Sequence, residues 1–287
     1  MNSNMLHMAL QLSMPEMFAG SWFSGALMNR VWTEMMLAGV NGLIRNTGGA
    51  DLLGAALGGR LRGDAAILRQ ASSNVSEAQN MMNMAANAAG SIAGLLKEAK
   101  TLADDFLAAT GLNPGAYDAL YERYQPLYEA ISKNIDSIIK NTAYNGIALL
   151  DGSAWTESDE RLAITRGVHD NPLAASVHIQ AGESGFPLSF SNMDADFSSI
   201  VTKCGLYGNP AIAKGLSSLQ RSAQNLADLY AGRAGSLKSQ DASLQSQAKI
   251  LEEAAAQRAK TPAPASAENL LLNLILRDSG GIFSGRG

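Results

Sequence analysis

The stretch Ala71–Ala108, ASSNVSEAQNMMNMAANAAGSIAGLLKEAKTLADDFLA, decides the fold. Two series step through it by seven: Val75, Met82, Ala89, Leu96 and Ala103, then Ala78, Ala85, Ile92, Ala99 and Phe106. All ten positions are apolar, and polar residues dominate between them. A sustained seven-residue repeat marks a helix packed along a long seam against other helices. At 1.5 Å per residue such a helix is roughly 57 Å long, far beyond the average globular helix of about 11–12 residues. The competing reading is an ordinary core helix.

A matching pattern lies near the other end of the chain. Leu216, Ala223, Tyr230, Leu237, Leu244 and Leu251 are also spaced by seven, predicting a second rod from about Leu216 to Lys260. This second rod is the natural partner of the first. Between Leu52 and Gln70, the residues Leu57, Leu61, Ala65 and Leu68 predict a shorter helix, either separate from the first rod or continuous with it. Before it stands GLIRNTGGADLLG, Gly42–Gly54, read as a glycine-bearing turn with Asp51 as a cap for the next helix.

The first rod is expected to end at GLNPG, Gly111–Gly115, where Pro114 lacks a backbone donor. A returning helix follows, with Leu120, Tyr124, Leu127, Ile131, Ile135 and Ile138 as its apolar face. Pro126 is expected to kink or divide it. In NTAYNGIALLDG, Asn145–Gly146 and Asp151–Gly152 read as tight turns. From Trp155 to Pro210 short β-prone runs such as RLAITRGV and SVHIQAG alternate with Gly, Pro and Asn. VHIQAG and GFPLSF predict a hairpin around Glu183–Ser184–Gly185. TPAPAS, Thr261–Ser266, reads as a hinge before the apolar segment ENLLLNLILR and a Gly/Ser-rich tail.

Composition agrees with interdigitated helices. Only 6% of the 287 residues are aromatic, and alanine and methionine are plentiful. A net charge of −4 offers no basic stripe for phosphates, so nucleic acid is not an expected partner. The single cysteine, Cys204, reads as a packed or idle thiol. His7, His169 and His178 have no metal-ligand spacing, and no phosphate-cradling or nucleophile motif occurs. Asp104–Asp105 and Glu252–Glu253 read as solvated neighbours that point apart on a helix. No catalytic residue, cofactor or metal is expected, and the chain does not read as an enzyme.

Met1–Ile44 is rich in Met, Leu, Trp and Phe, but Pro15, Glu16, Arg30 and Glu34 interrupt it. It contains neither a basic lead-in followed by an apolar run nor the roughly 18–20 uncharged residues a span requires. It reads as an amphipathic segment awaiting a protein partner, with a helix predicted at Trp22–Leu37; membrane-surface binding is the alternative, against which the scarcity of Lys and Arg counts.

Four places together resemble the bacterial flagellin family, which includes filament proteins and the related hook–filament junction protein. NSNMLHM at Asn2–Met8 is similar to the family's NTN-plus-leucine start. Gly42, Leu43, Asn46, Asp51 and Gly54, with Leu57, Arg60 and Leu61 after them, match the spacing of G-L-R-I-N-S-A-x-D-D-A-A-G. YNGIALLDG is similar to F-N-G-x-x-L-L, and AKILEEA with ENLLLNLILR is similar to the family's terminus. VHIQAGESG adds a weaker match. The Met/Trp-rich start, a shortened stretch between Arg233 and Ala248, and the tail beyond Arg277 depart from the family pattern.

This resemblance implies a mainly α fold: a long antiparallel helical coiled-coil bundle built from N- and C-terminal segments, with a small β-rich insert. The expected divisions are 1–45 inner-core helix, 46–154 helical rod and hairpin, 155–210 outer insert, 211–260 C-terminal rod, and 261–287 inner-core segment and tail. It further implies a self-assembling, extracellular flagellar subunit, exported through the flagellar channel without a cleaved signal peptide. An export chaperone on the C-terminal segment and hook-associated and cap proteins would be its other partners. Leu6, Met8, Leu43, Asn46, Asp51, Leu270, Leu271, Leu274 and Ile275 are the expected assembly interface. The family's immune-recognition motif Q-R-V-R-E-L-A corresponds to Lys97–Glu98–Ala99–Lys100–Thr101–Leu102–Ala103, with Glu98 at the central arginine position, which implies weak recognition by the innate immune flagellin receptor. A junction protein, or a membrane-active translocator of a needle-type secretion system, are the alternative readings.

Overall fold

The computed structural model of the chain describes residues 48–167, 172–182, 184–197 and 210–260. They fall into two compact units: 48–72 with 242–260, and the described residues of 73–241. The fold is mainly α, a helical bundle with small antiparallel sheets.

Helix α1 is Gly48–Leu112 and contributes to both units. In the second unit all ten seven-spaced positions are buried, the most open being Ala103 at 7%. One sequence expectation changes at the start of α1. The turn predicted for Gly42–Gly54 is already helix from Gly48, so Asp51 and Gly54 lie within α1 and Asp51 does not cap a later helix. Of the two alternatives for Leu52–Gln70, the continuous one holds: it runs unbroken into the long helix. Each glycine inside a helix costs only about 1 kcal/mol against alanine. Leu61, Ala65, Leu68 and Ala71 are all buried, and that continuous seam outweighs the local preference.

The break at GLNPG occurs as expected. A 3-10 turn, Pro114–Ala116, separates α1 from α2, Tyr117–Asn141. Phe106 on α1 meets Tyr117, Tyr121 and Tyr124 on α2, while Ser91–Glu98 lie beside Asn134–Ile138. Rising numbers on one helix meet falling numbers on the other, so the hairpin is antiparallel. Pro126 neither divides α2 nor ends it. It forfeits one backbone donor on an exposed face, and a hydrogen bond from Gln125 to Glu129 spans the site. The buried face is Tyr128, Ile131, Ile135 and Ile139. Ile131 and Ile135 are buried as predicted, but Tyr128 and Ile139 take the places expected of Leu127, which is half exposed, and Ile138, which is only partly buried.

Asn145 and Gly146 both have positive φ, 49° and 78°, and close the hairpin β1 (Ala143–Tyr144) to β2 (Ile147–Ala148). Asp151–Gly152 is also a tight turn, as expected, closed by the Ala154 N–H on the Asp151 carbonyl. Asp151 caps a 3-10 turn, Gly152–Ala154, by accepting from the Ser153 N–H at 2.9 Å.

The insert contains one antiparallel sheet of β3 (Leu162–Arg166), β4 (Pro172–Ala181) and β5 (Ser184–Ser191), in that order. Its last pair is Ala181 with Ser184, and Gly182 has φ 79°. Ser184 and Gly185 therefore belong to the strand rather than to the predicted turn. Ala175, Val177, Ile179 and Ala181 on β4 are buried with Leu188 and Phe190 on β5, so one face of the sheet is packed. A short helix α3, Asp194–Phe197, follows.

Helix α4 is Pro210–Lys260. Leu216, Ala223, Tyr230, Leu237, Leu244 and Leu251 are all buried, as the spacing predicts. In the second unit a Cβ at Gly90 would meet the Ala227 methyl at 4.0 Å, so α1 and α4 pack closely there.

Candidate assembly surface

In the first unit α1 and α4 are joined by Arg69 and Glu252, 183 residues apart in sequence. The guanidinium donates twice, Nε to Oε1 at 2.6 Å and Nη2 to Oε2 at 2.7 Å. This hydrogen bonding and the opposite charge lower the Glu252 carboxyl from its ordinary value. Glu252 was expected to be merely solvated; it is the partner of a cation on the other helix. Arg69 directly follows the buried Leu68, and Glu252 directly follows the buried Leu251. Both are thus rotated about 100° in the same sense from the seam. In a parallel pair that common rotation would place them on opposite sides. Their bidentate contact requires an antiparallel pair.

The second unit closes on the insert through three side chains, of which sequence reasoning had named Tyr230 only as an apolar seam position. The buried Tyr230 hydroxyl accepts the Ser191 N–H at 2.8 Å, and Arg233 donates from Nη1 to the Ser189 carbonyl at 3.1 Å. Two backbone groups of β5 are thereby satisfied by α4. Burial pushes the Tyr230 phenol up, against the hydrogen bond from Ser191 and the Arg233 charge, and pulls the Arg233 guanidinium down. The third is Asn192. Its Oδ1 accepts from Gly152 N and Asp194 N, each at 3.0 Å, and its Nδ2 donates to the Pro172 carbonyl at 2.8 Å. Arg233 carried one legible signal: a charged residue at seam spacing, three beyond Tyr230.

The hairpin end of the second unit is aromatic. Tyr117, Tyr121 and Tyr124 approach Phe106 edge-on, with centroids 5.5, 6.5 and 5.9 Å away. Leu112 is 89% exposed there. A shallow groove of about 460 Å³ runs between α1 and α2, lined by Ser91, Gly94, Leu95, Glu98, Asn134, Ser137 and Ile138. Asp104 is paired with Lys100 one turn away.

Of the residues expected to form the assembly interface, Leu6, Met8, Leu43, Asn46, Leu270, Leu271, Leu274 and Ile275 lie outside the described residues, as do Cys204, His7 and His169. Asp51 lies on α1. His178 is exposed on β4. Among the described residues no group of acidic, His or Cys side chains could hold a metal ion, and no helix is long and apolar enough to cross a membrane.

Long apolar seams, a helical hairpin closed by an Asn–Gly turn, and a small sheet tied to the second rod make up the described structure. Residues 40–155 match the family model described as the bacterial flagellin N-terminal helical region; the match supports membership of the bacterial flagellin family and a flagellin-type flagellar structural protein. The family is one of structural proteins that polymerise with themselves in the extracellular flagellar filament. No curated protein matches the chain.

Proposed function

We propose that the chain is a subunit of the flagellar filament, polymerising through its two terminal segments. One observation carries this reading: both ends of the described chain belong to the same unit, where Arg69 and Glu252 join the two rods. Apolar segments follow on from both rods, Met1–Ile44 at one end and ENLLLNLILR at the other. Ten residues are too few for a stable isolated helix, which needs roughly 12–15. Ordering each costs about 1–2 kcal/mol of backbone entropy, against a return of about 25 cal/mol per Å² of apolar area buried. Two such ends alone bury too little. Stacked among equivalent ends of neighbouring copies they recover the cost, so terminal folding and polymerisation are one event. Head-to-tail contacts that do not close a ring then build a helical tube.

In this reading 1–45 and 261–287 form the inner core, 46–154 and 211–260 the surrounding rods, and 155–210 the outer insert. Leu270, Leu271, Leu274 and Ile275 pack innermost, and Leu6, Met8, Leu43, Asn46 and Asp51 complete the interface. An export chaperone holds the C-terminal segment until the chain leaves through the flagellar channel, and hook-associated and cap proteins bound the polymer. Replacing Leu271 and Leu274 by Asp abolishes seeded filaments while leaving the helical units folded. Normal filaments from that variant would refute the proposal. Antibody label along whole filaments supports a filament subunit; label confined to one joint assigns the chain to the hook–filament junction instead.

A further inference from the structure

The dipeptide that builds the β1–β2 turn carries a chemistry of its own. Asn145 and Gly146 are both exposed, and a Cβ added at Gly146 would meet nothing within 4 Å. An asparagine amide carbon can close a small ring with the backbone nitrogen of the next residue. Glycine in that next position has no side chain to shield the nitrogen. The fold adds a third group. Asp159 holds the Arg161 guanidinium, with Nε donating to Oδ1 at 2.8 Å and Nη2 to Oδ2 at 2.7 Å. The remaining nitrogen, Nη1, donates to the Asn145 backbone carbonyl at 3.2 Å. That carbonyl belongs to the peptide whose nitrogen is Gly146. When the Gly146 N–H gives up its proton, negative charge spreads onto the same oxygen, and a cation donating there stabilises it.

We propose that Asn145 is a site of spontaneous deamidation, and that Arg161 speeds the reaction by stabilising the ionised 145–146 peptide. The deprotonated Gly146 nitrogen attacks Asn145 Cγ and forms a C–N bond. The side-chain amide nitrogen takes a proton from water and leaves as ammonia, so a succinimide ring remains. Water then adds to either ring carbonyl and breaks its bond to nitrogen, giving aspartate or isoaspartate at position 145. Solvent water is the only co-reactant. Isoaspartate adds a methylene to the main chain, which the two-residue turn between Tyr144 and Ile147 does not absorb. The next contacts to loosen are the Leu149 N–H on the Thr142 carbonyl and the Met193 N–H on the Leu150 carbonyl, each at 2.9 Å. The modification therefore ages the joint between the helical hairpin and the insert.

The test incubates the folded full-length chain at alkaline pH, digests it and maps amide-to-acid conversion by mass spectrometry. Peptides containing Asn145 are separated from those of the other Asn–Gly pair, Asn41–Gly42. Conversion at 145 that rises with pH, with isoaspartate reported by an isoaspartyl methyltransferase, is the expected result. In a water-excluded site a donor of this kind changes rates by about 10²–10³-fold. Arg161 is half exposed and shares its charge with Asp159, so Arg161→Gln is expected to slow conversion only about fivefold. Arg161→Lys, which keeps the charge, recovers part of that rate, and in denaturant all three chains convert alike. No conversion at Asn145 in the folded wild type would overturn the site. An equal or faster rate in folded Arg161→Gln would overturn the part given to Arg161.

Discussion

The hydroxyl of Tyr230 on α4 accepts the backbone N–H of Ser191 on β5 at 2.8 Å, inside a contact where the tyrosine is 1% exposed. An outer strand of the insert is thereby completed by a side chain of the rod. Tyr230→Phe keeps the ring against Phe190 but leaves that N–H unpaired. A buried donor without a partner costs about 1–3 kcal/mol, which denaturant unfolding of the two proteins will measure. Burial raises the Tyr230 pKa above its ordinary value. The corresponding stability is fully present below the unfolded tyrosine value of about 10 and is lost as pH rises through the folded one. Wild type therefore weakens more steeply than Tyr230→Phe on alkaline titration.

Gly152 and Asn192 form a coupled pair. A Cβ at position 152 would fall on the Asn192 side-chain amide, so glycine is required there for space rather than for an unusual φ. Gly152→Ala costs about 1–3 kcal/mol by overpacking. Asn192→Ala costs a similar amount, by leaving the buried Gly152 N–H without its acceptor. In the double variant the clash is gone, so the combined loss is smaller than the sum, as a double-mutant cycle will read out.

Leu96 and Leu127 separate the seam from the surface. Leu96 is fully buried at a seven-spaced position, whereas Leu127 is 51% exposed. Leu96→Ala is expected to cost about 2–5 kcal/mol. Leu127→Ala is expected to stay within about 0.5 kcal/mol of wild type. Equal losses in thermal unfolding would mean that α2 buries the face first expected from its spacing.

Glu98 is exposed on α1 at the edge of the groove, with Lys97 exposed beside it. A carboxylate at the position corresponding to the family motif's central arginine reverses the local charge. Purified protein is expected to activate the innate immune flagellin receptor weakly in reporter cells, and Glu98→Arg to raise the response. Strong activation by wild type would contradict this.

The rods were legible because seven-spaced burial is repeated many times: all sixteen named seam positions on α1 and α4 are buried. The Asn145–Gly146 turn was legible because two successive positive φ values demand those residue types. Local signals misled where a seam overrode them. Glycines at 48–54 suggested a turn, yet none of the described glycines in α1 has positive φ. On α2 Ile131 and Ile135 were legible, but Tyr128 and Ile139 are buried in place of Leu127 and Ile138, because both members of each pair are large and apolar and spacing alone does not choose between neighbours. Asn192, Tyr230 and Arg233 act through backbone groups distant in sequence, which no periodicity records.

The central claim is that the terminal segments become ordered only among neighbouring copies. Limited proteolysis of dilute monomer and of seeded filaments, with the cut sites mapped by mass spectrometry, tests it most directly. Rapid cleavage within 1–45 and 261–287 in the monomer, with both segments protected in filaments, is the expected result. Protection of both segments in the dilute monomer would contradict the account.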